Sequence, residues 1–117
     1  MFNFEKLELW QKSTPFAGSI YDRTPVSPSD ERFGLTNQMR RAAVSISSTL
    51  AEGSPRGSRA NCGRFVEIAA GSTFEVVSPA RIANNCGWLH QPEHDQLQAA
   101  RLDIVRMLSR VRSSLDS

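Results

Sequence analysis

The last third of the chain carries the pattern that most constrains the fold. After Pro92, apolar residues recur at spacings of three and four almost to the C-terminus, which predicts a long amphipathic helix. Pro92 suits the first helical turn, and Glu93 and Asp95 complement the positive end of the helix dipole. The apolar stripe consists of Leu97, Ala100, Ile104, Met107, Leu108, Val111 and Leu115. The charged residues expected on the other faces are Arg101, Asp103, Arg106, Arg110 and Arg112. Such a helix must bury its stripe against other helices.

Three further helical stretches precede it, separated by short breaks rich in Pro, Gly and Ser. The first is expected over residues 3–24. The second should begin after an N-cap at Ser27 or Ser29 and end at Glu52, and the third should begin after an N-cap at Ser58 and end in a C-terminal cap at 84–87. Four helices joined by short loops predict one domain, residues 1–117, folded as an all-α, antiparallel up-down-up-down four-helix bundle.

Two prolines fall inside predicted helices. A proline within a helix removes one hydrogen bond and clashes with the preceding turn, so we expect the first helix to bend at Pro15 and the third at Pro79. Two shorter helices are an alternative for the third stretch, because Gly71, Val76 and Val77 are poor helix formers.

The spacing of apolar residues also predicts which side chains face the interior. In the first helix these are Leu9, Phe16 and Ile20, flanked by Leu7, Trp10, Ala17 and Tyr21. In the second they are Leu35, Met39, Ala42, Ala43, Ile46 and Leu50. In the third they are Phe65, Ile68, Ala69, Ser72, Val76 and Ala83.

Positive charge is concentrated in the middle of the chain. Between Arg32 and Arg64 there are six arginines against one acid, Glu52, which gives this segment a net charge of +5. The guanidinium group binds phosphate or carboxylate with a two-pronged fork, so the segment is a candidate nucleic-acid surface. The candidate binding residues are Arg40, Arg41, Arg56, Arg59 and Arg64.

Two other interpretations of these arginines stay open. Arginine also suits ordinary helix surfaces, where it serves no ligand. Alternatively, Arg40 and Arg41 pair with glutamates across subunits and hold an oligomer together; the possible partners are Glu52, Glu67 and Glu75.

The residues give no sign of catalytic chemistry. No glutamate is followed three residues later by a histidine, which excludes the di-iron site found in some four-helix bundles. Cys86, His90 and His94 recur every four residues, but Gly87 and Pro92 interrupt the helix between them, so we expect a solvated loop there and not a zinc site. Serine-nucleophile and phosphate-loop motifs are missing as well. We therefore expect no enzymatic activity, no catalytic residue, no metal and no cofactor.

The sequence predicts a cytoplasmic protein that does not enter a membrane. No apolar run approaches the roughly 20 residues that a membrane-spanning helix needs. The first ten residues carry Glu5, Lys6 and Glu8 where a signal peptide needs an apolar stretch. Two cysteines, Cys62 and Cys86, are fewer than a secreted scaffold of this size usually carries, so we expect both to be thiols.

Three segments of the chain form a recognisable pattern. They are FEKLELWQKS at residues 4–13, FGLTNQMRRAAVSI at 33–46 and AEG at 51–53. This pattern resembles the four-helix bundle proteins encoded in bacterial 23S ribosomal-RNA intervening sequences, and the similarity extends over nearly the whole chain. Relatives commonly read Ile-Pro-Ser-Asn-Ile-Ala-Glu-Gly where this chain reads ISSTLAEG at 46–53, so that Ser47 and Thr49 replace the usual proline and asparagine.

The resemblance implies a bundle that assembles into a ring, typically a homopentamer, and that binds nucleic acid. Some relatives are accessory subunits of reverse transcriptases in diversity-generating retroelements. The basic positions that match the family are Arg40, Arg41 and Arg64. We therefore expect the protein's partners to be copies of itself and a nucleic acid, with RNA favoured by the resemblance. A scaffold for a protein partner, such as an accessory subunit of a reverse transcriptase, is the competing expectation.

Overall fold

The computed structural model describes residues 3–24, 33–52 and 59–116, with the side chains of 7–24, 34–52 and 61–115. The regular structure in these ranges is helical and comprises α1 (Asn3–Arg23), α2 (Phe33–Glu52), α3 (Arg59–Glu75), α4 (Val77–Asn85) and α5 (Gln91–Asp116). α3 and α4 are separated only by Val76 and together occupy the place of the predicted third helix. With α3 and α4 taken together as the third, the described residues form four helical stretches, which confirms the predicted all-α class and the number of stretches. The caps predicted at Ser27, Ser29 and Ser58 lie outside the described residues.

The two internal prolines have different surroundings. α1 continues through Pro15, whereas the third helix is divided at Val76, three residues before Pro79. Pro79 has no N–H to donate to the carbonyl of Glu75. At the division itself, the N–H of Val76 donates to the carbonyl of Thr73, three residues back, at 3.4 Å. The alternative of two shorter helices thus describes the third stretch. The bends at Pro15 and Pro79 stay predictions.

Each helix packs against neighbours on two sides. α1 contacts α2 and α5, and α3 also contacts α2 and α5. In the described part of the chain, α1 makes no contact with α3 or α4, and α2 makes none with α5. The molecule measures 44 × 24 × 19 Å, and the two shorter dimensions match two helices of about 10 Å diameter in each direction. The helices therefore occupy the corners of a square, in the order α1, α2, α3, α5.

The interior follows the predicted stripes in α1, α2 and α5. Every large apolar residue predicted for the α5 stripe is buried, and Ala100 packs partly against the core. The prediction for Ile68 was wrong, because its side chain is 44% exposed. Ala69, Ser72, Val76 and Ala83 are buried as predicted. The buried stripe of α3 also includes Cys62, Val66 and Thr73, which were not predicted.

The connection from α4 to α5 has a helix-ending motif with two backbone hydrogen bonds. Gly87 adopts φ +78°, the left-handed conformation that favours glycine. Its N–H donates to the carbonyl of Asn84 at 3.1 Å, and the N–H of Trp88 donates to the carbonyl of Ala83 at 2.9 Å. Leu89 is then buried in the core. The C-terminal cap predicted at 84–87 is therefore confirmed.

Candidate nucleic-acid interface

Arg40 joins the second helix to the end of the first. Its Nη2 donates to the carbonyl of Thr24 at 2.6 Å, and its Nε donates to the hydroxyl of the same residue at 3.2 Å. The guanidinium carbon also lies 4.5 Å from the centre of the Tyr21 ring, within range of a cation–π interaction. The last carbonyls of a helix lack intrahelical donors and carry partial negative charge, so a cation suits this place. The guanidinium of Arg40 thus binds α1 of the same chain.

Arg41 has a different environment from its neighbour. It is exposed, and within the described residues it forms no hydrogen bond or ion pair. Consecutive residues of a helix point about 100° apart, which turns Arg41 away from α1 while Arg40 faces it. Its guanidinium is available to a ligand.

Arg64 is the third predicted position with a described side chain. It is exposed on α3 and, like Arg41, has no counter-charge among the described side chains. α2 and α3 touch, and the hydroxyls of Ser45 and Ser72 lie 2.9 Å apart between them. Arg41 and Arg64 therefore belong to adjacent helices on one edge of the square.

The remaining two candidates fall largely outside the described residues. Nothing is described of Arg56, and Arg59 begins α3 without a described side chain. Their proposed contacts with nucleic acid stay predictions.

Other arginines of the bundle are neutralised by acids within the chain. Arg112 pairs with Glu67 at 2.6 Å, Arg106 with Asp103 at 3.1 Å, and Arg23 with Glu93 at 3.7 Å. Glu67 was a possible partner of Arg40 or Arg41 across subunits, and it has a partner on α5 instead.

Two of the buried polar side chains are ionisable, and neither was anticipated. Arg101 was expected on an outer face, and that prediction was wrong: it is only 8% exposed. A signal was present in the sequence, because Arg101 follows Leu97 by four residues and precedes Ile104 by three, which places it within the apolar stripe. His94 is 4% exposed, and within the described residues neither ring nitrogen has a hydrogen-bond partner. Its Nδ1 lies 3.8 Å from a carboxylate oxygen of the exposed Asp95.

Apolar side chains also remain on the surface of α1 and α2. Leu7, Trp10 and Tyr21 are exposed on α1 at helical spacing, and Val44 is exposed on α2. We call these four residues the α1–α2 face. Arg40 stacks on Tyr21 within it. Its four members are all uncharged.

The described residues contain no group of three or more His, Cys, Asp or Glu side chains that could hold a metal ion. Cys86 and His90 are exposed whereas His94 is buried, so these three residues do not share one surface. Cys62 and Cys86 do not form a disulfide. None of the described helices is both long enough and apolar enough to cross a bilayer.

A comparison with protein families matches residues 5–110 to the family described as 23S rRNA-intervening sequence protein. The chain belongs to this family. The match covers α1, α2, α3, α4 and most of α5, and it confirms the resemblance carried by residues 4–13, 33–46 and 51–53. The description of the 23S rRNA-intervening sequence proteins names no activity. No curated protein matches the chain.

Proposed function

We propose that this 23S rRNA-intervening sequence protein is a non-enzymatic homo-oligomer of the cytoplasm that binds nucleic acid, with RNA as its ligand. The observation that carries the proposal is the pair Arg41 and Arg64, two exposed cations on adjacent helices that have no counter-charge among the described side chains. Arg56 and Arg59 lie between them in the sequence and add to the same positive segment. Arg40 acts differently: it positions α2 against α1.

The bundle in this proposal has the up-down-up-down topology. Three contacts support antiparallel neighbours, because residue numbers rise on one helix as they fall on the other. Phe74 of α3 lies against Arg101 of α5, and Glu67 of α3 pairs with Arg112 of α5. Arg23, at the end of α1, meets Glu93, at the start of α5.

In this topology the two exposed arginines are far apart along the bundle. The contact between Ser45 and Ser72 serves as a reference point. Arg41 lies one turn before Ser45 on α2, and Arg64 lies two turns before Ser72 on α3. Because the two helices run in opposite directions in this topology, the two arginines lie on opposite sides of that contact. At 1.5 Å per residue the two side chains are separated by roughly 18 Å along the axis. That distance suits an extended polyanion with several phosphates better than a single small anion.

Oligomerisation is supported by the α1–α2 face. Soluble monomers seldom expose several large apolar side chains together, and such patches mark interaction surfaces. A ring repeats Arg41 and Arg64 once per subunit, so a modest charge on one chain becomes a multivalent surface. The proposed number of subunits in the ring, five, rests on the family resemblance.

The experiment is a filter-binding assay with structured RNA at low and moderate salt. We expect binding at low salt that weakens steeply as salt rises, because contacts to phosphate release counterions. Arg41→Gln and Arg64→Gln should each bind more weakly than Arg110→Gln, which removes the same single charge, and the double variant should bind more weakly still. Arg110 is a matched control, since it is exposed without a described ion pair on α5, which does not touch α2. Absence of binding by the natural protein at low salt would contradict the proposal.

A protein-interaction scaffold is the second candidate, for example an accessory subunit of a reverse transcriptase. The exposed aromatic side chains favour it, since tryptophan and tyrosine are enriched where proteins meet. Co-purification from the native host separates the two functions. A stoichiometric protein partner that remains after nuclease treatment supports the scaffold, whereas a nuclease-sensitive association supports nucleic-acid binding.

A further inference from the structure

A cavity lies at the end of the bundle where α1 finishes and α5 begins. It has a volume of about 270 Å³, and its walls come from these two helices, from the start of α2 and from the turn between α4 and α5. Met39 and Leu89, both almost completely buried, give it apolar surface. Pockets for drug-sized ligands usually measure about 300 to 1,000 Å³, so this cavity suits one planar ring system and not a whole nucleotide.

One buried hydroxyl in this cavity has no hydrogen-bond partner. Thr36 of α2 is only 3% exposed and lines the cavity, yet it forms no hydrogen bond within the described residues. Among the described side chains, only the ring nitrogens of His94 are both fully enclosed and unpartnered, so the Thr36 hydroxyl is reached through the cavity. Buried hydroxyls are normally satisfied, because a hydrogen bond left unmade costs free energy. A ligand with a polar edge supplies the missing partner.

The cavity also has an aromatic wall. Trp88 follows the left-handed Gly87, and its backbone N–H is fixed to the carbonyl of Ala83 at 2.9 Å. Trp88 is 37% exposed and lines the cavity. Unpaired nucleobases stack on aromatic side chains, and every base can do so because each has a π face. Trp88 therefore favours a base as the ring system without selecting among the bases.

An acceptor and a donor lie side by side in the same cavity. Glu93 of α5 and Arg23 of α1 both line it, and Oε2 of the first lies 3.7 Å from Nη1 of the second. The Nε of Arg23 donates to the hydroxyl of Ser19 at 3.0 Å, which fixes the guanidinium. Both side chains are partly exposed and keep further lone pairs and N–H groups for a ligand. Guanine has the complementary edge, because N1–H and the N2 amino group suit one carboxylate while the adjacent O6 and N7 accept from one guanidinium.

The cavity lies at the Arg41 end of the surface formed by the two exposed arginines. Thr36 and Arg41 are five residues apart on α2, which is about 8 Å along the helix axis. In the proposed topology Arg64 lies farther from the cavity, beyond the contact between Ser45 and Ser72. A strand whose phosphates follow Arg41 and Arg64 therefore passes close to the cavity, and one base can enter while its phosphate stays outside.

We infer that this cavity binds an unpaired guanine of the RNA. The ring stacks on Trp88, its donors and acceptors meet Glu93 and Arg23, and the hydroxyl of Thr36 bonds to one of its remaining polar groups. The inference rests on the proposed RNA-binding function and specifies the kind of RNA, a strand with an unpaired guanine and not a continuous duplex. Phosphate contacts position RNA without reading its sequence, so the cavity supplies the selectivity.

The fluorescence of Trp88 tests the inference directly. The chain contains two tryptophans, and Trp10→Phe removes the other one, which is exposed on α1. In this variant, a hairpin RNA with one unpaired guanine in its loop should quench the fluorescence, because the base stacks on the indole. The same hairpin with adenine at that position should bind at least ten-fold more weakly. A blunt duplex, whose bases are all paired, should leave the fluorescence unchanged. Equal affinity for the two hairpins would overturn the assignment of guanine.

Glu93→Gln has an effect whose sign is diagnostic. Removing an acid strengthens the electrostatic attraction to any RNA, and Asp103→Asn should show only this gain. Asp103 is a matched control on α5, because it also pairs with an arginine, Arg106 at 3.1 Å, and lies outside the walls of this cavity. Glu93→Gln should instead weaken binding of the guanine hairpin about ten-fold, while the adenine hairpin gains as it does with Asp103→Asn. A gain for both hairpins would contradict the role of Glu93.

Thr36→Val separates a binding role from a structural one. Valine keeps the shape of the side chain and removes a hydroxyl without a partner among the described residues, so the urea midpoint should stay equal or rise. Affinity for the guanine hairpin should fall about five-fold. Thr49→Val is the control, since Thr49 is another buried threonine of α2 without a described hydrogen bond, about 20 Å along the axis. It should leave the affinity unchanged. A joint fall of stability and affinity in Thr36→Val would overturn the role of its hydroxyl.

Failure of this inference can be told from failure of the proposed function. If the natural protein binds neither the hairpins nor the duplex at low salt, RNA binding itself is wrong. If it binds all three alike and the fluorescence of Trp88 does not change in Trp10→Phe, the cavity takes no guanine while the proposed function stands. Quenching by guanosine monophosphate but not by the guanine hairpin would also overturn the inference, since the ligand would then be a free nucleotide.

Discussion

Replacing Arg40 with methionine should destabilise the fold, whereas the same change at Arg41 should not. The two residues are adjacent on α2 and carry the same charge, but only Arg40 contacts α1. Methionine keeps the apolar length of the side chain and removes the donors. The comparison therefore isolates the interactions made by the guanidinium.

The expected loss follows from the contacts of Arg40. The hydrogen bond to the carbonyl of Thr24, at 2.6 Å, is charge-assisted and contributes about 1.5 kcal/mol. The stacking on Tyr21, at 4.5 Å, adds about 0.5 kcal/mol at a half-exposed site. The bond to the Thr24 hydroxyl contributes less, since this hydroxyl keeps its own hydrogen bond to the carbonyl of Ile20. We expect the free energy of unfolding to fall by about 2 kcal/mol, which lowers Tm by about 8 °C in a domain of this size.

Urea unfolding followed by circular dichroism measures the difference. All variants are compared at one protein concentration, because assembly also contributes to apparent stability. Arg41→Met should lie within about 0.5 kcal/mol of the natural protein, as is usual for an exposed residue without partners. Equal losses for Arg40→Met and Arg41→Met would refute the assignment of Arg40 to the joint between α1 and α2.

Three further substitutions probe other features of the bundle. His94→Leu should raise the free energy of unfolding by about 1 kcal/mol, because it removes two buried nitrogens that form no hydrogen bond among the described residues; a lower urea midpoint would contradict this. Gly87→Ala should destabilise by about 1 kcal/mol, since the left-handed backbone at φ +78° strains any residue with a Cβ atom. Gly71→Ala should stabilise by about 0.5 kcal/mol, because it lies inside α3 with open space around the new methyl group; differential scanning calorimetry should show opposite shifts of Tm for the two glycine variants.

The buried residues of a helix could be predicted from the sequence where its apolar residues follow a single helical spacing. α5 has an unbroken stripe, and its buried residues were identified almost completely from spacing alone. α3 has small and polar residues on several faces, so its stripe could be placed in two ways. The interior prediction therefore failed at Ile68 and missed Val66, whereas Ala69 and Val76 are buried as predicted.

The candidate site was harder to predict, because it depends on which helix faces which. Spacing placed Arg40 and Arg41 off the apolar stripe but could not decide which of them meets α1. Arg101 was misplaced for a different reason. Its spacing placed it within the apolar stripe, but charged residues are usually exposed, and the packing of α5 against α3 shows that this one takes an interior position.

The salt dependence of RNA binding tests the central claim most directly. The logarithm of the binding constant is measured against the logarithm of salt concentration for the natural protein and for Arg41→Gln/Arg64→Gln. We predict a steep negative slope for the natural protein. The slope of the variant should be smaller in magnitude, by about 0.7 to 0.9 for each phosphate that the variant no longer neutralises. Identical slopes, or no binding at any salt concentration, would contradict a function based on these two arginines.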